Sequence, residues 1–262
     1  MVYFVTVKSV VTVFCNGKQF TNIDAVFLDK DGTLANVAAY LQQLGYNQAK
    51  LMEQSLPGAY GLTLKALGID STGLSASGLL AVGSRQETII GTAAAAAMAG
   101  YPWVKALELA IHSLTVADQQ CSPKAAYTPL LPGVLDFLQR LRHVGLSVIM
   151  VSADTQSNLE DFVNRYQLQT YFDKLQGTSS PHPTKGAPDF LPAACQSIGL
   201  SPGQGMVIGD STSDLRMAQS TGGFIGYLGG WQPTLSETDI LDDECSGIIC
   251  GFATNFSQIT MH

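Results

Sequence analysis

The rhythm of apolar and polar positions changes twice along this chain. Val10 to Phe20 is rich in β-branched residues on either side of Asn16-Gly17, a two-residue turn signal, and predicts a hairpin. Ile23 to Leu28 is almost wholly apolar, the pattern of a strand buried on both faces. From Asn36 to Tyr127 the period lengthens. Helical runs are predicted at Val37–Leu44, Gln48–Leu56, Arg85–Met98 and Trp103–Ala117, with Gly and Pro breaking the pattern between them and no convincing strand. The alanine run Ala93–Ala97 predicts a tightly packed helix.

After Pro132-Gly133 the chain alternates. Helices are expected at Val134–Val144, Ser157–Tyr166, Pro188–Ile198 and Asp214–Ser220. Strands are expected at Leu146–Val151, Lys174–Gln176, Gly205–Ile208 and Gly223–Tyr227, with Gly247–Cys250 as a last edge strand. Such alternation predicts an α/β fold with a parallel doubly wound sheet, whose ligands bind beyond the carboxyl ends of the strands. The division expected is an N-terminal hairpin extension (1–22), an α/β core (23–35 and 128–262) and a helical insert (36–127).

Composition narrows the classes. With 46% hydrophobic and 13% charged residues in 262, the chain can bury a large core. A net charge of −7 argues against nucleic acid as a partner, which needs a basic face, yet leaves room for one small phosphorylated metabolite. The apolar start "MVYFVTVKSVVTVF" lacks a basic leader and is interrupted by Lys8, and no run approaches a membrane span. A cytoplasmic protein without membrane partners is expected. The five cysteines form no C-x-x-C pair, so reduced thiols are expected, although Cys245 and Cys250 are close in sequence.

The chemistry gathers at predicted strand ends. "AVFLDKDGTL" delivers Asp29 and Asp31, with Thr33, at the end of the first buried strand. "LSVIMV" is followed by Ser152, Ala153 and Asp154, which offer a hydroxyl and backbone N–H groups. "GMVI" is followed by "GDSTSD", with Asp210 and Asp214, and "HPTKGAPDF" places Lys185 before a helix. Each piece alone has a plain reading: Asp-Gly turns, a Ser helix cap, a surface lysine. Together, in this order, they suit phosphoryl transfer at a Mg²⁺ site. Asp29 would be the nucleophile, Asp31 the acid and base, Lys185 a charge partner, and Ser152 a holder of phosphoryl oxygens.

As a set these motifs resemble the haloacid dehalogenase superfamily, in its phosphoglycolate phosphatase-like branch. "DKDGT" (Asp29–Thr33), Ser152, Lys185 and "GDSTSD" (Gly209–Asp214) are similar to its four motifs, and "LPGVLDFLQRLRHVGL" to the helix before the second. The resemblance implies a Rossmann-like core with an inserted helical cap over 36–127 that selects the substrate. It implies an aspartyl-phosphate on Asp29, and Mg²⁺ held by Asp29, Asp210 and the Asp31 carbonyl. Asp214 would hold a water of the ion or orient Lys185. Thr33 and Ala153 are the substrate-binding positions expected from the core. Gly186 stands where Pro is usual in this branch, with Pro arriving at Pro188. The second acid, Asp31, disfavours carbon–halogen and carbon–phosphorus cleavage. A hexose-phosphate-type phosphomutase and a catalytically silent binding protein are the alternatives.

In the insert, Arg85 of "GSRQE" is a candidate clamp for a substrate anion, set against an ordinary solvated helix start. His182 and His112 are expected to be structural or exposed, and Trp231 to pack near the site entrance or the core.

Overall fold

The structure is a computed structural model that describes residues 11–178, 185, 187–241 and 247–262. Lys8, His182, Gly186 and Cys245 lie outside the described residues. The chain divides into two compact units, one of Met1–Ala35 with Leu130–His262 and one of Asn36–Pro129.

The first unit opens with β1 (Val11–Cys15) and β2 (Lys18–Ile23), joined through Asn16 and Gly17 at φ 45° and 82°. Two positive φ values in a two-residue loop match the right-handed twist of the strands. The hairpin is not a free-standing extension. Strand β1 is the middle of a three-stranded sheet whose other edge is the C-terminal strand (Ile259–Met261). The Phe20 ring fills the space a Cβ at Gly223 would need, which ties the hairpin to the main sheet. Ile23 closes β2, so the buried strand is β3 (Ala25–Asp29), starting two residues later than its apolar pattern suggested.

The second unit follows as α1 (Ala38–Ser55), α2 (Ala59–Leu67), β4 (Ile69–Asp70), β5 (Gly73–Leu74), α3 (Leu79–Val82), α4 (Arg85–Met98) and α5 (Trp103–Gln120). Two expected helices are one here. Gly45, between the two expected runs, leaves room for a neighbour, since a Cβ there would lie 2.4 Å from Ile69 Cδ1. Helix α2 escaped the pattern because glycines flank it; Gly58 and Gly68 cap it at φ 90° and 81°. The β4–β5 ladder corrects the expectation of an insert without strands.

The first unit resumes with α6 (Val134–His143), β6 (Ser147–Thr155), α7 (Gln156–Arg165), β7 (Lys174–Thr178), α8 (Phe190–Gln196), β8 (Gly205–Gly209), α9 (Thr212–Met217), β9 (Phe224–Tyr227), β10 (Cys250–Ala253) and β11 (Ile259–Met261). The last edge strand lies three residues beyond the expected Gly247–Cys250, and β11 was not anticipated. The six-stranded sheet is parallel, in the order β10-β9-β8-β3-β6-β7. The chain leaves β3 toward β6 and β7, then returns to its other side for β8, β9 and β10. That reversal beside β3 is the switch point at which such sheets bind ligands. Among the described residues, no helix is long and apolar enough to cross a membrane.

Candidate active site

Register puts the chemistry at one edge. Asp29, last in β3, pairs with Val151 of β6, so Ser152 comes next on that side. Leu28 pairs with Ile208, which brings Asp210 just past the end of β8 on the other side. Strand β6 runs on through Ser152, Ala153 and Asp154, which the sequence placed after it.

The turn after β3 is held by one carbonyl. Lys30 O accepts the N–H groups of Leu34 and Ala35, each at 2.8 Å, while Gly32 sits at φ +84°. A Cβ on Gly32 would also lie 2.1 Å from Asp210 Oδ2, so glycine is required for conformation and for room.

Asp214 serves helix and site together. It is the third residue of α9 and forms a capping box with Ser211, its Oδ2 accepting from Ser211 N at 3.1 Å and Oγ at 2.6 Å. Its Oδ1 faces Lys185 Nζ at 2.7 Å. Lys185 also binds Asp29 Oδ1, so the lysine spans both carboxylates. Orientation of Lys185, one of the two roles the resemblance implied for Asp214, is the contact seen. Asp210 is held on both oxygens: Thr33 Oγ1 donates to Oδ1 at 3.0 Å and Trp231 Nε1 to Oδ2 at 2.6 Å.

Burial governs the charges. Asp29 is pushed well above the usual carboxylate range, first by burial and then by Asp214 and Asp210, with Lys185 opposing. Asp210 is pushed up to about 6, chiefly by burial and by Asp214. For Lys185, burial works to lower the pKa, but Asp214 and Asp29 outweigh it and hold the ammonium charged. Oxygens of Asp29, Asp210 and Asp214 lie within 4.8 Å of one another. Three buried carboxylates and one lysine leave negative charge uncompensated, and every donor is a hard oxygen. That set fits Mg²⁺.

Other expected residues have different surroundings. Thr33 is fully buried and bonded to Asp210, so it braces a carboxylate where substrate contact was expected. The Ser152 hydroxyl accepts the Asp154 N–H at 3.1 Å, and the Ala153 carbonyl accepts from Thr178 Oγ1 at 3.0 Å. Arg85 opens α4 behind the Ser84–Glu87 capping box and binds Asp118, so its guanidinium is engaged within its own unit.

Lys30 was missed. It is 1% exposed, with Nζ 2.5 Å from Asp31 Oδ1 and 3.0 Å from Asp154 Oδ2, and lies over the Phe162 ring. A lysine inside an otherwise buried run, between two aspartates, was the available signal. Asp31, a quarter exposed, is thus tethered through Lys30 to β6.

Comparison with known proteins points to one family. Residues 23–222 match the model of the haloacid dehalogenase-like hydrolases. The phosphoglycolate phosphatase of Salmonella paratyphi A is 28% identical over 127 residues, 47% of this chain and 50% of that protein. The chain thus spans about half the length of the curated relatives it matches. Among solved structures, a predicted phosphoglycolate phosphatase from Haemophilus somnus superposes with TM-score 0.59 at 19% identity, covering 79% of this chain and 86% of that one. A haloacid dehalogenase-like family hydrolase from Streptococcus pneumoniae gives 0.58 at 18%, covering 88% and 94%. At these identities the structures speak for the fold alone. The family match spans all four motifs and most of the chain, and on that ground the protein belongs to the haloacid dehalogenase-like hydrolases.

Proposed function

We propose that this protein is a Mg²⁺-dependent phosphatase acting on a small phosphomonoester, through a phosphoryl group carried on Asp29. The observation that carries the reading is the contact set of Asp29: a buried carboxylate at a central strand end, bound by Lys185 and within reach of Asp210 and Asp214. Such a group is poorly placed for stability and well placed for chemistry.

In the first step an Asp29 oxygen attacks phosphorus, the ester P–O bond breaks, and Asp31 gives its proton to the leaving oxygen. In the second, water attacks the phosphorus of the aspartyl-phosphate, Asp31 takes its proton, and phosphate departs with Asp29 restored. Lys185 offsets phosphoryl charge while Asp214 keeps its ammonium in place. Asp29, Asp210 and the Asp31 carbonyl would hold Mg²⁺, which supplies further positive charge to the transferring group. Ser152, at the same edge as Asp29, is assigned to the phosphoryl oxygens.

Phosphoglycolate is the leading substrate by analogy with the curated relatives. The Asn36–Pro129 unit, inserted in the chain directly after the first motif, is assigned to substrate choice. Phosphate release from a panel of small phosphomonoesters, with and without Mg²⁺, tests the reading. Wild type should turn over at least one ester only with the metal, and Asp29→Asn should lose at least about 10⁴-fold in kcat while keeping its fold. Full activity in Asp29→Asn would falsify the covalent route.

A further inference from the structure

Three loops meet behind Asp210. Gly32 lies in the loop after β3, Asp210 follows β8, and Gly230-Trp231 follows β9. The first and third approach through their backbones: a Cβ on Gly230 would lie 1.6 Å from the Gly32 carbonyl oxygen. The Cβ position of Gly32 is 2.1 Å from Asp210 Oδ2 and 2.7 Å from Trp231 Nε1, so any side chain there would enter the space of the indole–carboxylate bond. The indole is 3% exposed and Asp210 7%.

We propose that Trp231 is a positioning residue for Asp210: its indole N–H, with the Thr33 hydroxyl, fixes the rotation of the carboxylate that holds the divalent cation, and so sets cation affinity. This rests on the metal-site reading above. A carboxylate on a short side chain turns freely about its last bond unless its oxygens are held. Here each oxygen has one donor from a different loop, at 3.0 Å and 2.6 Å, and each retains a second lone pair. Partners behind a metal ligand restrain it in this way, and losing one costs roughly 10- to 100-fold in metal affinity. A buried indole could donate to any carbonyl nearby. Its placement on a carboxylate of the cluster is what separates positioning from ordinary core satisfaction.

The chain has two tryptophans, and Trp103, half-exposed in the other unit, can be replaced to isolate the signal. In full-length Trp103→Phe protein, the Trp231 indole ¹⁵N–¹H resonance should move saturably as Mg²⁺ alone is added. Its dissociation constant should match that from calorimetry. Trp231→Phe, folded by circular dichroism, should bind Mg²⁺ about 10-fold or more weakly, and Trp231→His, which retains an N–H donor, should recover part of that loss.

Mg²⁺ affinity within twofold of wild type in folded Trp231→Phe would overturn the proposal. An indole resonance unmoved at calorimetric saturation would do the same, and needs no variant at Trp231. Absence of any Mg²⁺ binding to wild type would remove the metal-site reading and the proposal together. Binding with a silent indole would remove the proposal alone.

Discussion

The two units bury different kinds of polar group. Among the described residues of the first, the buried polar and charged ones are Asp29, Lys30, Thr33, Ser152, Asp210 and Asp214, gathered in the C-terminal part of β6 and in the segments that end or follow β3 and β8. In the second they are Gln48, Thr63, Thr88, Thr92, Ser113 and Thr128, all neutral. Neutral groups cost less to bury and find some partners within the unit, as Gln48 Nε2 donates to Thr92 Oγ1 at 3.1 Å and Ser113 Oγ to the Ala110 carbonyl at 3.1 Å, while Gln48 Oε1 and Thr63 Oγ1 accept none. Buried charges cost far more to desolvate, and packed hydrophobic residues would stabilise a core as well or better. Among the described residues, buried charge gathered at one sheet edge is therefore a cost to stability, and the proposed chemistry accounts for it. The second unit shows a core built only to pack.

The sharpest way to break this contrast is to remove the charge at the centre of the cluster's second layer. Lys30→Met would leave Asp154 and Asp31 facing each other without their shared ammonium, and should destabilise the protein by about 3–5 kcal/mol in urea unfolding. A loss below about 1 kcal/mol would show that the first unit tolerates charge changes as a surface does.

A smaller effect should appear as pH dependence in metal-free protein. The Asp210 carboxyl has a folded pKa of about 6 against an ordinary 3.8, so the folded state binds the extra proton. The stability it contributes is fully present below about pH 4 and is lost as pH rises through about 6, on the order of 2–3 kcal/mol. Asp29 shifts in the same direction. Thermal melts in chelator should fall across this window, and added Mg²⁺ should restore the loss at pH 7. A flat profile would contradict the uncompensated charge argued above.

The smallest effect belongs to the second unit. Ser84→Ala removes the capping box of α4 and should cost about 1 kcal/mol, with no dependence on Mg²⁺. A Mg²⁺-dependent cost there would erase the contrast between the units.

Much of the candidate site was legible because each piece is local. Asp29, Ser152 and Asp210 follow apolar runs that could only be strands, and a parallel sheet aligns strand ends. Asp214 was expected to hold a water of the ion or to orient Lys185, and in the structure one of its oxygens serves Ser211 and the other faces Lys185. What failed were features set by distant partners. Two helices were expected where α1 is continuous, and within it Gly45 makes room for Ile69. Thr33 looked like a substrate contact, yet its hydroxyl meets a carboxylate 177 residues on.

By itself, then, the sequence determined the alternation that makes a parallel α/β sheet, the insertion of a helical segment after the buried strand β3, and the identity of the acids and the lysine. These depend on periodicity and on residues near one another in the chain. Only the tertiary structure decided that Lys30 bridges Asp31 and Asp154, that the hairpin joins the C-terminal strand, and that Trp231 and Thr33 hold Asp210. Hydrogen bonds and ion pairs act over about 3 Å in space whatever the sequence separation, so a local pattern can hint that Lys30 is buried but cannot name Asp154, Trp231 or the C-terminal strand as partners.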